Sequence, residues 1–193
     1  MVFAFIFPGQ GSQYVGMGKA LAESFPSARE VFDRIDAALG QNLSDLMWNG
    51  PEEELRLTTN TQPALMACSL AAMAALDAEF GVKVTDAKFV AGHSLGEYSA
   101  LAAVESFSIE DTAKLLRIRG DAMQSAVPVG AGAMAALLGA ALTMRKLLAK
   151  LDLRLGSFKL PMIMQQVRLF YPGNWRLSKR LHRPHGTPES KRL

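Results

Sequence analysis

The chain has 193 residues, 49% of them apolar and 20% charged, with a formal net charge of +3 and a single cysteine. That is enough apolar chain for a sizeable buried core, and one cysteine excludes an internal disulfide, which fits a reducing cytoplasm. No uninterrupted apolar run approaches the length of a membrane span, and Val2–Phe7 lacks the positive flank and the length of a secretory signal.

The charge is unevenly placed. Residues 1–140 carry 9 Lys+Arg against 16 Asp+Glu, whereas residues 141–193 carry 12 against 2. A basic tail on an acidic body usually marks a nucleic-acid or membrane arm. Here neither partner is expected, because the tail's composition has another explanation, given below; a genuine tail should be poorly packed, since its apolar residues keep no steady period.

In chain order, residues 2–7 read as a strand buried on both faces, of the parallel-sheet type. Pro8-Gly9-Gln10-Gly11-Ser12-Gln13 breaks it into a loop, and a helix follows around residues 16–25. The third glycine of a dinucleotide fingerprint would fall at Tyr14, and no Gly-Lys-Ser/Thr is present, so dinucleotide and P-loop readings fail on spacing. The loop is then either a close backbone approach to a ligand at the sheet's C-terminal edge or a plain turn. Pro26–Leu39 is amphipathic through Ala28, Val31, Phe32, Ile35 and Leu39, and stops at Gly40. Leu43–Trp48 is a short helix, and Glu52-Glu53-Glu54 is a solvated first turn favoured by the helix dipole. Thr61-Gln62-Pro63 opens a long helix, apolar on all sides and so buried, that Gly81 ends; Cys68 lies in it as a core residue.

Residues 88–104 carry the chemistry. Phe89-Val90-Ala91 is β-prone, Gly92-His93-Ser94-Leu95-Gly96 follows, and an Ala/Leu-rich helix comes next. In that strand–turn–helix context G-x-S-x-G is a nucleophile elbow, with Ser94 as the nucleophile held clear of a strained turn. The unpaired N–H of Leu95 at the helix N-terminus is placed to meet a developing oxyanion. Ser108 caps a helix running to about Ala126, Pro128–Gly132 is a loop, and Ala133–Leu138 reads as a further core strand. The alternation of strand and helix predicts an α/β fold with a mostly parallel sheet.

Three stretches then resemble one family. Phe5-Ile6-Phe7-Pro8-Gly9-Gln10-Gly11-Ser12-Gln13, Thr61-Gln62-Pro63-Ala64-Leu65 and Gly92-His93-Ser94-Leu95-Gly96-Glu97-Tyr98 are similar to the malonyl-CoA:acyl carrier protein transacylases of bacterial fatty-acid synthesis. Arg119-Gly120 and Gly132-Ala133-Met134-Ala135-Ala136 extend the likeness, which runs from residue 3 to about residue 140. The resemblance implies an acyltransferase core with malonyl-CoA and acyl carrier protein as partners, and neither cofactor nor metal. It implies that Ser94 is acylated, that the N–H groups of Gln10 and Leu95 form the oxyanion hole, and that Arg119 binds the malonyl carboxylate. Sequence spacing alone does not choose between Arg117 and Arg119; the resemblance selects Arg119. His93, beside the nucleophile in sequence, reads as structural.

The chain also departs from that family. The resemblance calls for a histidine base in a later segment, beyond a small ferredoxin-like subdomain, but the remaining histidines, His182 and His185, stand in unrelated contexts. Any DNA encoding Pro161–Gly173, read two nucleotides further on, forces Asp at the Met162/Ile163 junction, Ala at Met164/Gln165 and Leu at Phe170/Tyr171. The other junctions permit Asn-Asp-Asn-Ala-Ala-Gly-Gln-Val-Val-Leu-Ser-Gly, which resembles the family. Residues 1–140 therefore read as an incomplete acyltransferase core, and residues 141–193 as a tail whose frame is lost at about 143–155. This predicts a chain of little or no activity. Two other functions remain open: a serine esterase of the α/β-hydrolase kind, which shares the elbow, and a non-catalytic carrier-protein-binding remnant.

Overall fold

The computed structural model describes residues 2–126 and the backbone of residues 168–170. Two parallel strands, β1 (Ala4–Phe7) and β2 (Phe89–Gly92), lie in register from Ala4 opposite Phe89 to Phe7 opposite Gly92. A third, β3 (Arg168–Phe170), pairs antiparallel on the other side of β2, so three residues of the basic tail enter the sheet. The strand expected at Ala133–Leu138 lies outside the described residues, as do His182 and His185.

Around the sheet run α1 (Lys19–Ser24), α2 (Pro26–Leu39), α3 (Leu43–Asn49), α4 (Glu52–Arg56), α5 (Thr58–Phe80), α6 (Gly96–Ala103) and α7 (Ile109–Ala126). Helix α2 turns its Ala28, Val31, Phe32 and Ile35 stripe inward and ends at Gly40, whose φ of 60° closes the helix in the left-handed conformation. Helix α7 begins where its cap predicts: the Asp111 N–H donates to Ser108 Oγ at 3.0 Å.

Helix α5 is the core around which the others pack. By length and composition it is the described helix that is apolar enough to cross a membrane. In this fold, Asn60–Ala67, Leu70, Ala71 and Ala75 are buried, and from Ala64 onward they form one apolar cluster with Phe32, Ile35, Met47, Leu55 and Leu116. The helix starts at Thr58, three residues before the expected opening, with Pro63 inside it. A proline at that place forfeits only the bond to the carbonyl of Thr59, four residues back. The Asn60 and Thr61 N–H groups bond the Leu57 carbonyl, at 2.9 and 2.8 Å, and begin the helix before the proline is reached.

One expectation needs correcting. Strand β1 is not buried on both faces: Phe7 is 4% exposed but Ile6 is 75% exposed and Val2 77%. Alternating side chains leave a strand by opposite faces. Helix α6 packs on β1, while the Ile6 side is uncovered among the described residues.

Candidate active site

The elbow forms from three features of the local sequence. Ser94 has φ 56°, a left-handed conformation that costs a non-glycine residue about 1–3 kcal/mol and persists where the surroundings impose it. The flanking glycines impose it here. A Cβ on Gly92 would overlap the backbone of Gly96, and one on Gly96 would sit 2.7 Å from the Pro8 carbonyl oxygen. Only bare backbone permits a turn this tight. Ser94 is exposed while its neighbours Leu95 and Gly96 are buried, so the hydroxyl stands out of a fixed base.

The parallel pairing of β1 and β2 sends both C-terminal ends to the same edge, which brings the Pro8–Gln13 loop against the elbow. The His93 N–H donates to the Phe7 carbonyl at 3.2 Å. A Cβ on Gly9 would lie 2.5 Å from His93 Nδ1 and 2.9 Å from its carbonyl oxygen, so the loop and the elbow are in direct contact. Gln10 is held from the other side, its Nε2 donating to Thr58 Oγ1 at 3.4 Å. Among the described residues neither the Gln10 nor the Leu95 N–H donates a backbone hydrogen bond. The loop therefore lies against the elbow at the C-terminal edge of the sheet.

Arg119 comes from α7. Its Nη2 donates to Ser94 Oγ at 3.0 Å and its Nη1 to Gln62 Oε1 at 2.5 Å, with the guanidinium carbon 5.8 Å from the centre of the Tyr98 ring. Both hydrogen-bond partners are neutral, so neither cancels the cation's charge. Gly120 permits this reach: a Cβ there would come within 2.6 Å of Thr59 Cα, so α7 lies directly on the first turn of α5. Arg117, two residues earlier, turns elsewhere and bonds Asn60 Oδ1, Gln41 Oε1 and Thr59 Oγ1 at 2.6, 2.6 and 3.1 Å. Burial pulls its pKa down from the ordinary arginine value.

Gln62 is the residue that the sequence reading passed over. It is completely buried, its Nε2 reaching Met123 Sδ at 3.2 Å and its Oε1 fixing Arg119. A signal existed, since an amide in an otherwise apolar helix needs a partner. Among the described residues no side-chain hydrogen bond joins His93 to Ser94, and no group of three or more His, Cys, Asp or Glu could hold a metal. Cys68 is half-buried, and burial pushes its thiol pKa up, away from reactivity.

Comparison with known proteins agrees with this architecture. Residues 4–153 match the family model of the acyl transferase domain. A malonyl CoA-acyl carrier protein transacylase of Bacillus subtilis (strain 168) is 51% identical over 136 residues, which is 70% of this chain and 42% of that protein. Its counterpart in Escherichia coli (strain K12) is 47% identical over 137 residues, 71% of this chain and 43% of its own length. Among solved structures, an acyl-carrier-protein-S-malonyltransferase from Bartonella henselae superposes with a TM-score of 0.74 at 53% identity, covering 80% of this chain and 49% of its own. A malonyl-transacylase solved in complex with its type II PKS acyl-carrier protein gives a TM-score of 0.62 at 44% identity, covering 66% and 40%. The chain thus spans a little over two-fifths of the curated relatives it matches. With its elbow, its glycine loop and a family match covering most of its residues, it belongs to the acyl transferase domain family.

Proposed function

We propose that this chain carries the nucleophile-bearing part of a malonyl-transferring acyltransferase of cytoplasmic fatty-acid synthesis. The observation that carries the reading is the Arg119 guanidinium, 3.0 Å from Ser94 Oγ and anchored on the neutral Gln62. A cation beside a nucleophile suits an acyl group with a second carboxylate, which a guanidinium grips through two parallel N–H bonds. A simple ester offers it nothing, and this favours the diacyl substrate over the esterase reading.

In the proposed reaction Ser94 Oγ attacks the thioester carbonyl of malonyl-CoA and forms the new C–O bond. The carbonyl oxygen takes up the negative charge, and the N–H groups of Gln10 and Leu95 stabilise it by roughly 3–4 kcal/mol per donor. Collapse breaks the C–S bond and expels coenzyme A, its thiolate taking up the proton that Ser94 lost. The phosphopantetheine thiol of acyl carrier protein then attacks the serine ester and restores the hydroxyl. A guanidinium is a hydrogen-bond donor with no acceptor, so Arg119 is not the group that takes the Ser94 proton. A serine nucleophile needs a base to do so, and the described residues bond Ser94 Oγ to Arg119 alone. We therefore expect this 193-residue chain to turn over at a small fraction of a complete enzyme's rate.

The same proposal covers the tail. The family match ends at residue 153, within the interval where the reading frame is inferred to be lost. Sequencing the gene through that interval tests it, and a continuous frame with no homologous second frame contradicts it. For the chemistry, the test is intact-protein mass spectrometry after incubation with malonyl-CoA. One malonyl adduct on the wild type and none on Ser94→Ala is expected. An adduct that survives Ser94→Ala, or a wild type that binds carrier protein without ever being acylated, contradicts the reading.

A further inference from the structure

Gln10 has a glycine on each side, so its own sequence does little to fix its backbone. Gly9 is pressed against His93, but Gly11 has φ 113° and open space where a Cβ would stand. Two of the loop's hydrogen bonds stay inside it, from the Gly11 N–H to Gln13 Oε1 at 2.8 Å and from Ser12 Oγ to the Gly9 carbonyl at 3.3 Å. A third leaves it: the Gln10 side-chain amide donates to Thr58 Oγ1 at 3.4 Å, and both residues are half-buried. Thr58 is itself held firmly. It is the first residue of α5, its N–H donates to Gln124 Oε1 on α7 at 3.3 Å, and Thr59 beside it donates through Oγ1 to Asp121.

We propose that Thr58 is a positioning residue for the oxyanion hole: its hydroxyl holds the Gln10 side chain and, through it, the direction of the Gln10 N–H. That N–H gives no hydrogen bond to a backbone carbonyl among the described residues. A donor of this kind is effective when it is already in place as charge develops, and a glycine-flanked loop without a tether must be ordered at each reaction. Thr58 supplies the tether from the core helix. The same helix start carries Gln62, four residues on, which anchors Arg119. One turn of α5 thus sets both ends of the site, the thioester oxygen through Thr58 and the second carboxylate through Gln62. The inference rests on the reading of Gln10 as an oxyanion donor. It requires a rate effect that is blind to the identity of the acyl group, unlike any effect of Arg119.

The test is the rate of Ser94 modification in the full chain, followed by intact-protein mass spectrometry with malonyl-CoA, acetyl-CoA and a neutral fluorophosphonate. The last reagent forms an Oγ–P bond, expels fluoride, releases the hydroxyl proton to water and places negative charge on the phosphoryl oxygen. Thr58→Val keeps the shape of the side chain and the N–H bonded to Gln124, and removes only the hydroxyl. It should slow all three reagents alike by roughly tenfold at saturation, with the half-saturating thioester concentrations unchanged, because a misplaced group costs rate. Thr58→Ser should restore the wild-type rate. Gln10→Met ends the same bond from the loop side without touching α5, and carries the test if Thr58→Val lowers the melting curve. On the Gln10→Met background Thr58→Val should add no further loss. Slowed fluorophosphonate labelling without any loading from acyl-CoA supports the role of Thr58 and counts against the acyl-transfer reading alone. Wild-type fluorophosphonate rates in Thr58→Val or Gln10→Met, no rescue by Thr58→Ser, or fully additive losses overturn the proposal. So does a wild-type Ser94 inert to every reagent, which removes the nucleophile reading with it.

Discussion

Helix α7 delivers two arginines, two residues apart, to two different regions. Arg117 enters a polar pocket at the start of α5, where three neutral oxygens on Asn60, Gln41 and Thr59 use its donors. Arg119 enters the elbow, where one neutral oxygen on Gln62 holds it and another of its nitrogens faces the Ser94 hydroxyl. A cation satisfied on several sides by its own fold is a brace. One that donates to Gln62 and faces the Ser94 hydroxyl is, on the proposed reading, available to a substrate anion.

The substitution expected to break this contrast most completely is Gly120→Ala. Its Cβ would press on Thr59 Cα and the Thr58 carbonyl, at 2.6 and 2.8 Å, and push α7 off α5. Overpacking of this kind costs about 3 kcal/mol, and both arginines should lose their partners together. A lowered denaturation midpoint with loss of any malonyl preference is the expected outcome. Arg117→Ala should separate the two roles. It strips the donor from Asn60 Oδ1 on a buried residue, for a loss of about 1–3 kcal/mol in urea unfolding with no change in acyl preference.

Gln62→Glu should act the other way. A carboxylate there would pair with Arg119 and compete with the malonyl group, lowering the preference for malonyl over acetyl about tenfold, or ~1.4 kcal/mol. Gln62→Ala, which adds no charge, should lower it less. Relative loading of Ser94 measures both.

The smallest effect lies far from the site. Arg34 grips Glu110 at 2.7 and 3.2 Å, joining α2 to α7, and the guanidinium holds the Glu110 carboxyl below its usual range. A depressed folded pKa stabilises above the unfolded value of about 4.3 and is lost as pH falls through the folded value. Arg34 stays charged throughout, its pKa being raised by the same bond. Both side chains are partly exposed, so solvent screening keeps the pair below about 1 kcal/mol. The gap in unfolding midpoint between wild type and Glu110→Gln should therefore close as pH drops from about 6 to about 3.

The elbow was legible in the sequence because its signal is local: two glycines, a serine, a strand before and a helix after fix the turn. The α2 stripe and the Ser108 cap were legible for the same reason. What depends on distant contacts was not. No spacing rule separates Arg117 from Arg119, since the choice rests on where Gly120 lets α7 touch α5. Gln62 was seen as part of a motif but not as the anchor, because its partner lies 57 residues away. The burial of Ile6 was overestimated because an apolar strand shows what it can bury against, not whether that partner is present. Pro63 misplaced the start of α5 because a proline forbids one hydrogen bond, not a helix.

The most direct measurement of the central claim is competition between malonyl-CoA and acetyl-CoA for Ser94, read on the Ser94 peptide by mass spectrometry after long incubation of equimolar mixtures. If Arg119 reads the second carboxylate, the wild type loads malonyl in preference, and Arg119→Ala lowers that preference by about 10–100-fold, the worth of charge-assisted hydrogen bonds of ~1.5–3 kcal/mol. An Arg119→Ala variant with the wild-type preference, on an intact fold, would contradict it.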